Sequence, residues 1–233
     1  MPPALIKTKD FDVILKKSAR RQSVTLKVSA KGVFLHIPTQ LPMDIAHDLI
    51  EEKSDWIKQQ LAKQPEPEPE RQWQQGQTLL LFGQHYELQL EQKGDSPKVK
   101  LMNDAIILSG RLHRVGLKTR RQAIINWYKE QAEIYLNNRT EELSQLTGLI
   151  PQSITIKTYK ARWGSCNIRG EIQYNWQIMQ APPSVIDYLI IHELCHLKHH
   201  NHGKGFWGLV EQHYPDYRTQ QAWLKQNGVQ LQL

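Results

Sequence analysis

Ser184-Val185-Ile186-Asp187-Tyr188-Leu189-Ile190-Ile191-His192-Glu193-Leu194-Cys195-His196 is the stretch that orders the reading of the whole chain. Ala181-Pro182-Pro183 breaks the chain before it, and Ser184 with Asp187 makes a capping-box start for a helix. Val185, Ile186, Leu189, Ile190, Ile191 and Leu194 make that helix apolar nearly all round, so it is expected to be buried. A buried helix has little use for two imidazoles and a carboxylate unless they share a partner. His192-Glu193-Leu194-Cys195-His196 is an H-E-x-x-H string. Residues four apart stack on one helix face, so both imidazoles reach a single ion. Glu193 flanks the same face and is placed to take a proton from metal-bound water. Zn²⁺ suits nitrogen ligands of this kind, and a catalytic site keeps one coordination position open for water.

A third protein ligand is required, and His199, His200, His202 and His213 are available. On a continued helix His200 would lie about 12 Å along the axis from His192, at about 1.5 Å per residue. Ligand atoms around one zinc are only about 3–3.5 Å apart, so His200 is excluded, and His199 fails in the same way. His202 escapes if the helix ends near Asn201 and Gly203 and the chain folds back. The expected metal set is therefore His192, His196 and His202, with Glu193 as the catalytic base. The H-E-x-x-H string alone is moderately specific. The capped apolar helix and the histidine beyond its end give it weight, and the chemistry they imply is that of a zinc-dependent hydrolase.

Working outward, Ser153–Tyr159 and Glu171–Trp176 read as strands, with Arg162-Trp163-Gly164-Ser165-Cys166 between them. A long helix is expected from about Lys118 to Leu146, stopped by Gly148, and shorter helices at Gly205–His213 and Arg218–Gln226. Thr78–Phe82, His85–Leu90, Val99–Leu101 and Ala105–Leu108 are strand candidates. Near the N-terminus, alternation over Val24–Val28 and Val33–Ile37 predicts a β-hairpin. An amphipathic helix over Asp44–Ala62 follows, with Ile45, Leu49, Trp56, Ile57 and Leu61 on or near its buried face. Pro65-Glu66-Pro67-Glu68-Pro69-Glu70 forms neither helix nor central strand and reads as an extended linker. The expected organisation is an α+β chain: a hairpin-helix part over 1–64, a linker over 65–76, and a zincin-like catalytic domain over 77–233. No internal repeat is visible in the sequence.

At 233 residues, 39% hydrophobic and 23% charged, the chain is an ordinary globular composition with room for one or two cores. No apolar run approaches the roughly 18–20 residues that span a bilayer, and the first residues lack a signal-peptide core, so the expected compartment is the cytoplasm. Cys166 and Cys195 cannot build a disulfide framework and are expected to be free thiols that pack rather than ligate. A formal charge of +7 is compatible with polyanionic partners, although a solvated basic surface is the blander explanation and the favoured one. Nucleic acid remains possible on charge, but no basic run interleaved with aromatics marks a nucleic-acid footprint.

From Arg162 to Trp223 the chain resembles the YgjP-like metallopeptidase family of bacterial metal-dependent hydrolases. The residues that carry the resemblance are Arg162-Trp163-Gly164-Ser165-Cys166, Asn175, His192-Glu193-Leu194-Cys195-His196, Asn201-His202-Gly203, Phe206-Trp207 and Pro215-Asp216-Tyr217. Arg20-Arg21-Gln22-Ser23 and the hairpin-helix after it fit more loosely, and the site is distantly similar to that of SprT-like proteases. Gly203 stands where the family usually has serine. The ligand spacing equals that of the metzincins, but His199 occupies their glycine position, so the chain is not placed among them. The resemblance implies three histidine ligands, a glutamate base and an α+β catalytic domain.

Three functions from different classes follow. The first is a zinc peptidase acting on peptides or proteins. The second is a metal-dependent nucleoside triphosphate pyrophosphatase, an activity on UTP being known within the family resembled, with Lys157, Lys160, Arg162 and Arg169 to clamp phosphates. No P-loop string accompanies it. The third is a non-catalytic zinc-containing binding module, although structural zinc sites are usually closed by four protein ligands. Arg162 is a candidate to bind substrate or to pair with a buried carboxylate, and His213 and Tyr214 are candidates to stabilise a transition-state oxyanion. Trp163, Phe206 and Trp207 are expected to pack around the site.

Overall fold

Val33, Leu35 and Ile37 alternate along one strand and are fully buried, as their spacing requires. In the computed structural model, which describes residues 4–29, 32–63, 72–231 and 233, they belong to a four-stranded sheet. Its strands are β1 (Ala4–Lys7), β2 (Asp12–Ser18), β3 (Thr25–Ser29) and β4 (Gly32–Pro38), in the order β1-β2-β4-β3. The hairpin read from the sequence is the β3–β4 pair; β1 and β2 were not legible, because Lys7, Lys9, Lys16 and Lys17 dilute their apolar signal. β2 runs parallel to β4, with Leu15 opposite Leu35.

The helix expected over Asp44–Ala62 is two helices, α1 (Met43–Glu52) and α2 (Ser54–Ala62), broken at Lys53. The break rotates the apolar stripe. Ala46, Ile50 and Ile57 are buried against the sheet, whereas Ile45 and Trp56, expected on the buried face, are exposed. Lys58 pairs with Asp10 at 2.6 Å, joining α2 to the β1–β2 turn. The chain divides into two compact units, Met1–Arg71 and Gln72–Leu233. The Pro-Glu run expected to be a linker lies outside the described residues.

The second unit opens with β5 (Thr78–Leu81), β6 (Gln84–Glu91), β7 (Lys98–Met102) and β8 (Ala105–Ser109), in the order β5-β6-β8-β7. This is the strand order of the first sheet over again, including the parallel central pair. The repeat is one of strand order and register, with no internal repeat in the sequence to match it. Next comes the 31-residue helix α3 (Leu117–Thr147), which Gly148 ends with φ 69°, the left-handed conformation favoured by glycine. Tyr128, Ala132 and Leu136 of α3 are fully buried in the unit's core.

β9 (Ser153–Lys157), β10 (Gly164–Cys166) and β11 (Glu171–Asn175) form a third sheet, ordered β10-β11-β9, that leaves β10 on an edge. α4 (Pro183–Cys195) carries the H-E-x-x-H string, and α5 (Lys204–His213) and α6 (Tyr217–Asn227) complete the unit. The helix start differs from the expected capping box. Pro183 occupies the first turn, no side chain caps it, and Asp187 is instead held by Arg139 of α3 through two bonds of 2.8 Å. The fold is thus α+β, with three small sheets and six α-helices among the described residues.

Candidate metal centre

α4 is buried because its apolar residues have nowhere polar to face. Ile186, Ile190 and Leu194 are fully enclosed, and Glu193 on the same helix is only 3% exposed. The helix stops earlier than expected. From His196 the amide bonds reach back three residues, His196 to Glu193, Leu197 to Leu194 and Lys198 to Cys195, which tightens the turn and ends α4 at Cys195 rather than near Asn201. That leaves six residues to swing His202 back over the helix.

The result is a triangle of imidazoles. Ring centroids are 5.0 Å apart for His192 and His196, 5.0 Å for His192 and His202, and 4.8 Å for His196 and His202. His192 Nε2 and His202 Nε2 lie 3.1 Å apart, and one nitrogen from each of the three rings falls within 4.8 Å of the others. Nitrogens bound to one zinc at about 2.0–2.1 Å are about 3–3.5 Å apart, so small ring rotations complete the set. His196 donates Nδ1–H to the His199 carbonyl at 2.9 Å, which leaves Nε2 with its lone pair for a metal. His199, considered as a ligand in the sequence, thus serves through its backbone.

Aromatic rings fix the imidazoles where hydrogen bonds do not. Phe206, 1% exposed, stacks on His196 at 4.5 Å, and Trp207 stacks on His202 at 5.7 Å and on Tyr217 at 5.3 Å. His192 packs against Phe206, Trp207 and Tyr188, while its Nδ1 is buried without a partner among the described residues. Burial, helped by His196 and His202, holds the His192 imidazole down to about 3, which keeps it neutral and fit to ligate. Burial lowers His196 as well.

Glu193 behaves oppositely. Burial pushes its carboxyl up to about 8 against the pull of the nearby Arg162 charge, and its Oε2 has no hydrogen-bond partner among the described residues. An orphaned carboxylate oxygen on the helix that leads into three converging imidazoles belongs to a set of groups that a divalent cation and a water would satisfy together. The residues present therefore fit a metal. Gly164 at the start of β10 makes this packing possible: a Cβ there would lie 2.8 Å from the Cδ and Cγ of Glu193. In the sequence Gly164 shows only as a glycine between two strand candidates, and its contact with Glu193 depends on tertiary packing.

The other expected site residues are spread more widely. Arg162 is exposed, sits over the Tyr159 ring at 5.2 Å, and has no ion-pair partner among the described residues. Tyr214 donates its hydroxyl to the Ser184 carbonyl at 2.9 Å, which ties it to the start of α4, away from the histidine end. His213 closes α5 and makes no ring contact with the cluster among the described residues. Cys166 and Cys195 are free thiols pushed up to about 11 and about 12 by burial, and neither belongs to the histidine cluster among the described residues.

A family model described as "YgjP-like, metallopeptidase domain" matches residues 22–227. The chain belongs to the YgjP-like metallopeptidase family. Membership makes it, in general terms, a metal-dependent peptidase, and the three histidines are the group able to hold the metal. None of the curated proteins matches the chain significantly. Among solved structures it is similar to the metallopeptidase zymogen abylysin of Pyrococcus abyssi, with 20% identity and a TM-score of 0.36 over 39% of this chain and 93% of that one. The jannalysin zymogen of Methanocaldococcus jannaschii is 19% identical with a TM-score of 0.35, covering 39% of this chain and 94% of its own.

Proposed function

We propose that this YgjP-like chain is a zinc-dependent peptidase in which His192, His196 and His202 hold the ion and Glu193 is the general base. The observation that supports it most is the convergence of three imidazoles, two of them on the helix that carries a buried carboxylate whose Oε2 has no hydrogen-bond partner among the described residues. Zinc bound there would polarise a carbonyl oxygen and acidify a coordinated water. Glu193 accepts the proton of the attacking water at its free oxygen and returns it to the leaving amine. Gly164 leaves the space in which that carboxylate sits, and Phe206 and Trp207 hold the ligand rings and exclude water around them. Three nitrogen donors favour zinc over Mg²⁺ or Ca²⁺, which prefer oxygen.

The catalytic domain in this reading falls in the second unit and takes in Trp73, 3% exposed in that unit's core, with 1–64 as an accessory part. Two free thiols suit a reducing compartment, in keeping with the cytoplasm, and no described helix is long and apolar enough to cross a membrane. The family description names a peptidase and gives the pyrophosphatase and binding-module readings no support. The test is to incubate the zinc-loaded chain with a peptide mixture and with a panel of nucleoside triphosphates. New peptide N-termini that vanish with a chelator and return with zinc are expected. Pyrophosphate release without any peptide cleavage would overturn the reading.

A further inference from the structure

Arg162 faces a cleft of about 270 Å³ between the Tyr159–Trp163 loop and the end of α6, where Leu224, Lys225, Gly228 and Val229 form the opposite wall. Its charged lining is Lys160, Arg162 and Lys225. No aspartate or glutamate lines it, and none of the three cations forms an ion pair among the described residues. Three like charges gathered where no acidic side chain lines the wall favour an anion between them.

The loop that presents them is held in place. Asn175, buried at its base, donates Nδ2 to the carbonyls of Tyr159 at 3.1 Å and Arg162 at 3.3 Å, and its backbone N–H to Trp163 at 2.7 Å. Trp176 donates Nε1 to Thr158 at 3.0 Å. Across the cleft, Gly228 admits the Trp163 ring, since a Cβ there would lie 3.2 Å from it. The wall then continues into β10, whose first residue, Gly164, packs on the Glu193 carboxyl.

We propose that this cleft is an anion subsite that takes a carboxylate of a peptide substrate, either an acidic side chain or a free C-terminus, and so seats a nearby peptide bond at Glu193. The inference rests on the peptidase reading, because carboxylates are the anions an unmodified peptide carries. Arg162 offers a planar fork matched to a carboxylate, and Lys160 and Lys225 add charge on either side.

The test uses the full zinc-loaded chain with Glu193→Gln, so that binding is read without turnover. Labelled peptides with amidated ends carry one Glu scanned along an otherwise neutral sequence. Matched peptides carry Gln instead, with either an amidated or a free C-terminus. Carboxylate-bearing peptides are expected to bind about tenfold tighter than the neutral ones at low salt. That gain should disappear in Lys225→Gln and Arg162→Gln at unchanged zinc content. Whether the scanned Glu or the free C-terminus gives the gain identifies the source of the carboxylate. Equal binding by all peptides, or a gain untouched by Lys225→Gln, would overturn the proposal. So would tripolyphosphate binding in the cleft where no peptide does. Failure of the peptidase reading shows separately, as absence of peptide cleavage by the unsubstituted zinc-loaded chain.

Discussion

The sheets β1-β2-β4-β3 and β5-β6-β8-β7 share a strand order and a buried central seam, with Leu15 opposite Leu35 in one and Leu88 opposite Ile106 in the other. They part company one pair further along, where Lys17 faces Ile37 in the first sheet and Leu90 faces Leu108 in the second. The first sheet is followed by two short helices broken at Lys53, the second by the unbroken 31-residue α3. The longer helix reaches the motif helix through the Arg139–Asp187 pair. The sheet alone therefore does not make a site. The chemistry resides in what the second sheet and α3 support, which is a buried helix, an edge strand and a returning loop.

The strongest break of this comparison is at the ligands. His196→Ala or His202→Ala removes one of three metal donors, and zinc content measured by mass spectrometry should fall from one equivalent to near none. Next come the matched core positions. Leu88→Ala and Leu35→Ala should each cost about 2–5 kcal/mol in the sheet they belong to. Thermal unfolding followed with and without zinc should show the Leu88 variant losing the zinc-sensitive transition, and the Leu35 variant keeping it with its zinc content intact. An equal loss of zinc in both would mean that the two units are not separate in this respect.

A smaller effect is expected at Gly164. The added methyl of Gly164→Ala would displace the Glu193 carboxyl, so kcat should fall about tenfold or more while zinc remains bound. Smaller still is a pH effect in the metal-free protein. The Glu193 carboxyl is raised from 4.5 to about 8, so burying it ionised costs stability that grows as pH rises from about 4.5 and is complete above about 8. Metal-free Glu193→Gln should therefore melt higher than the parent at pH 8, with the gap closing towards pH 4.5. Parallel melting curves at several pH values check this.

How far the sequence could be read follows the same division. The buried motif helix, α3 with its glycine stop, and the strands after the Pro-Glu run were legible because apolar periodicity is strong where both faces or a long face is covered. His202 was legible because a straight helix cannot bring a third imidazole to one ion. β1 and β2 were hidden by the lysines that interrupt their alternation, Lys17 even on the face of Val13 and Leu15, and the break at Lys53 by a stripe that satisfies one helix on paper. Asp187 was misread as a cap because its partner, Arg139, lies 48 residues away. The repeated strand order and the Gly164–Glu193 contact were invisible for a related reason: register and close approach belong to tertiary packing, which a pattern of residue types does not encode.

The central claim is that Glu193 performs the proton transfer at a metal held by the three histidines. Zinc content and peptide cleavage measured side by side for the parent chain and Glu193→Gln test it most directly. One equivalent of zinc in both proteins, with cleavage lower by about 10²-fold or more in the variant, is the predicted result. Cleavage by Glu193→Gln at the parent rate, with zinc bound in both, would contradict it.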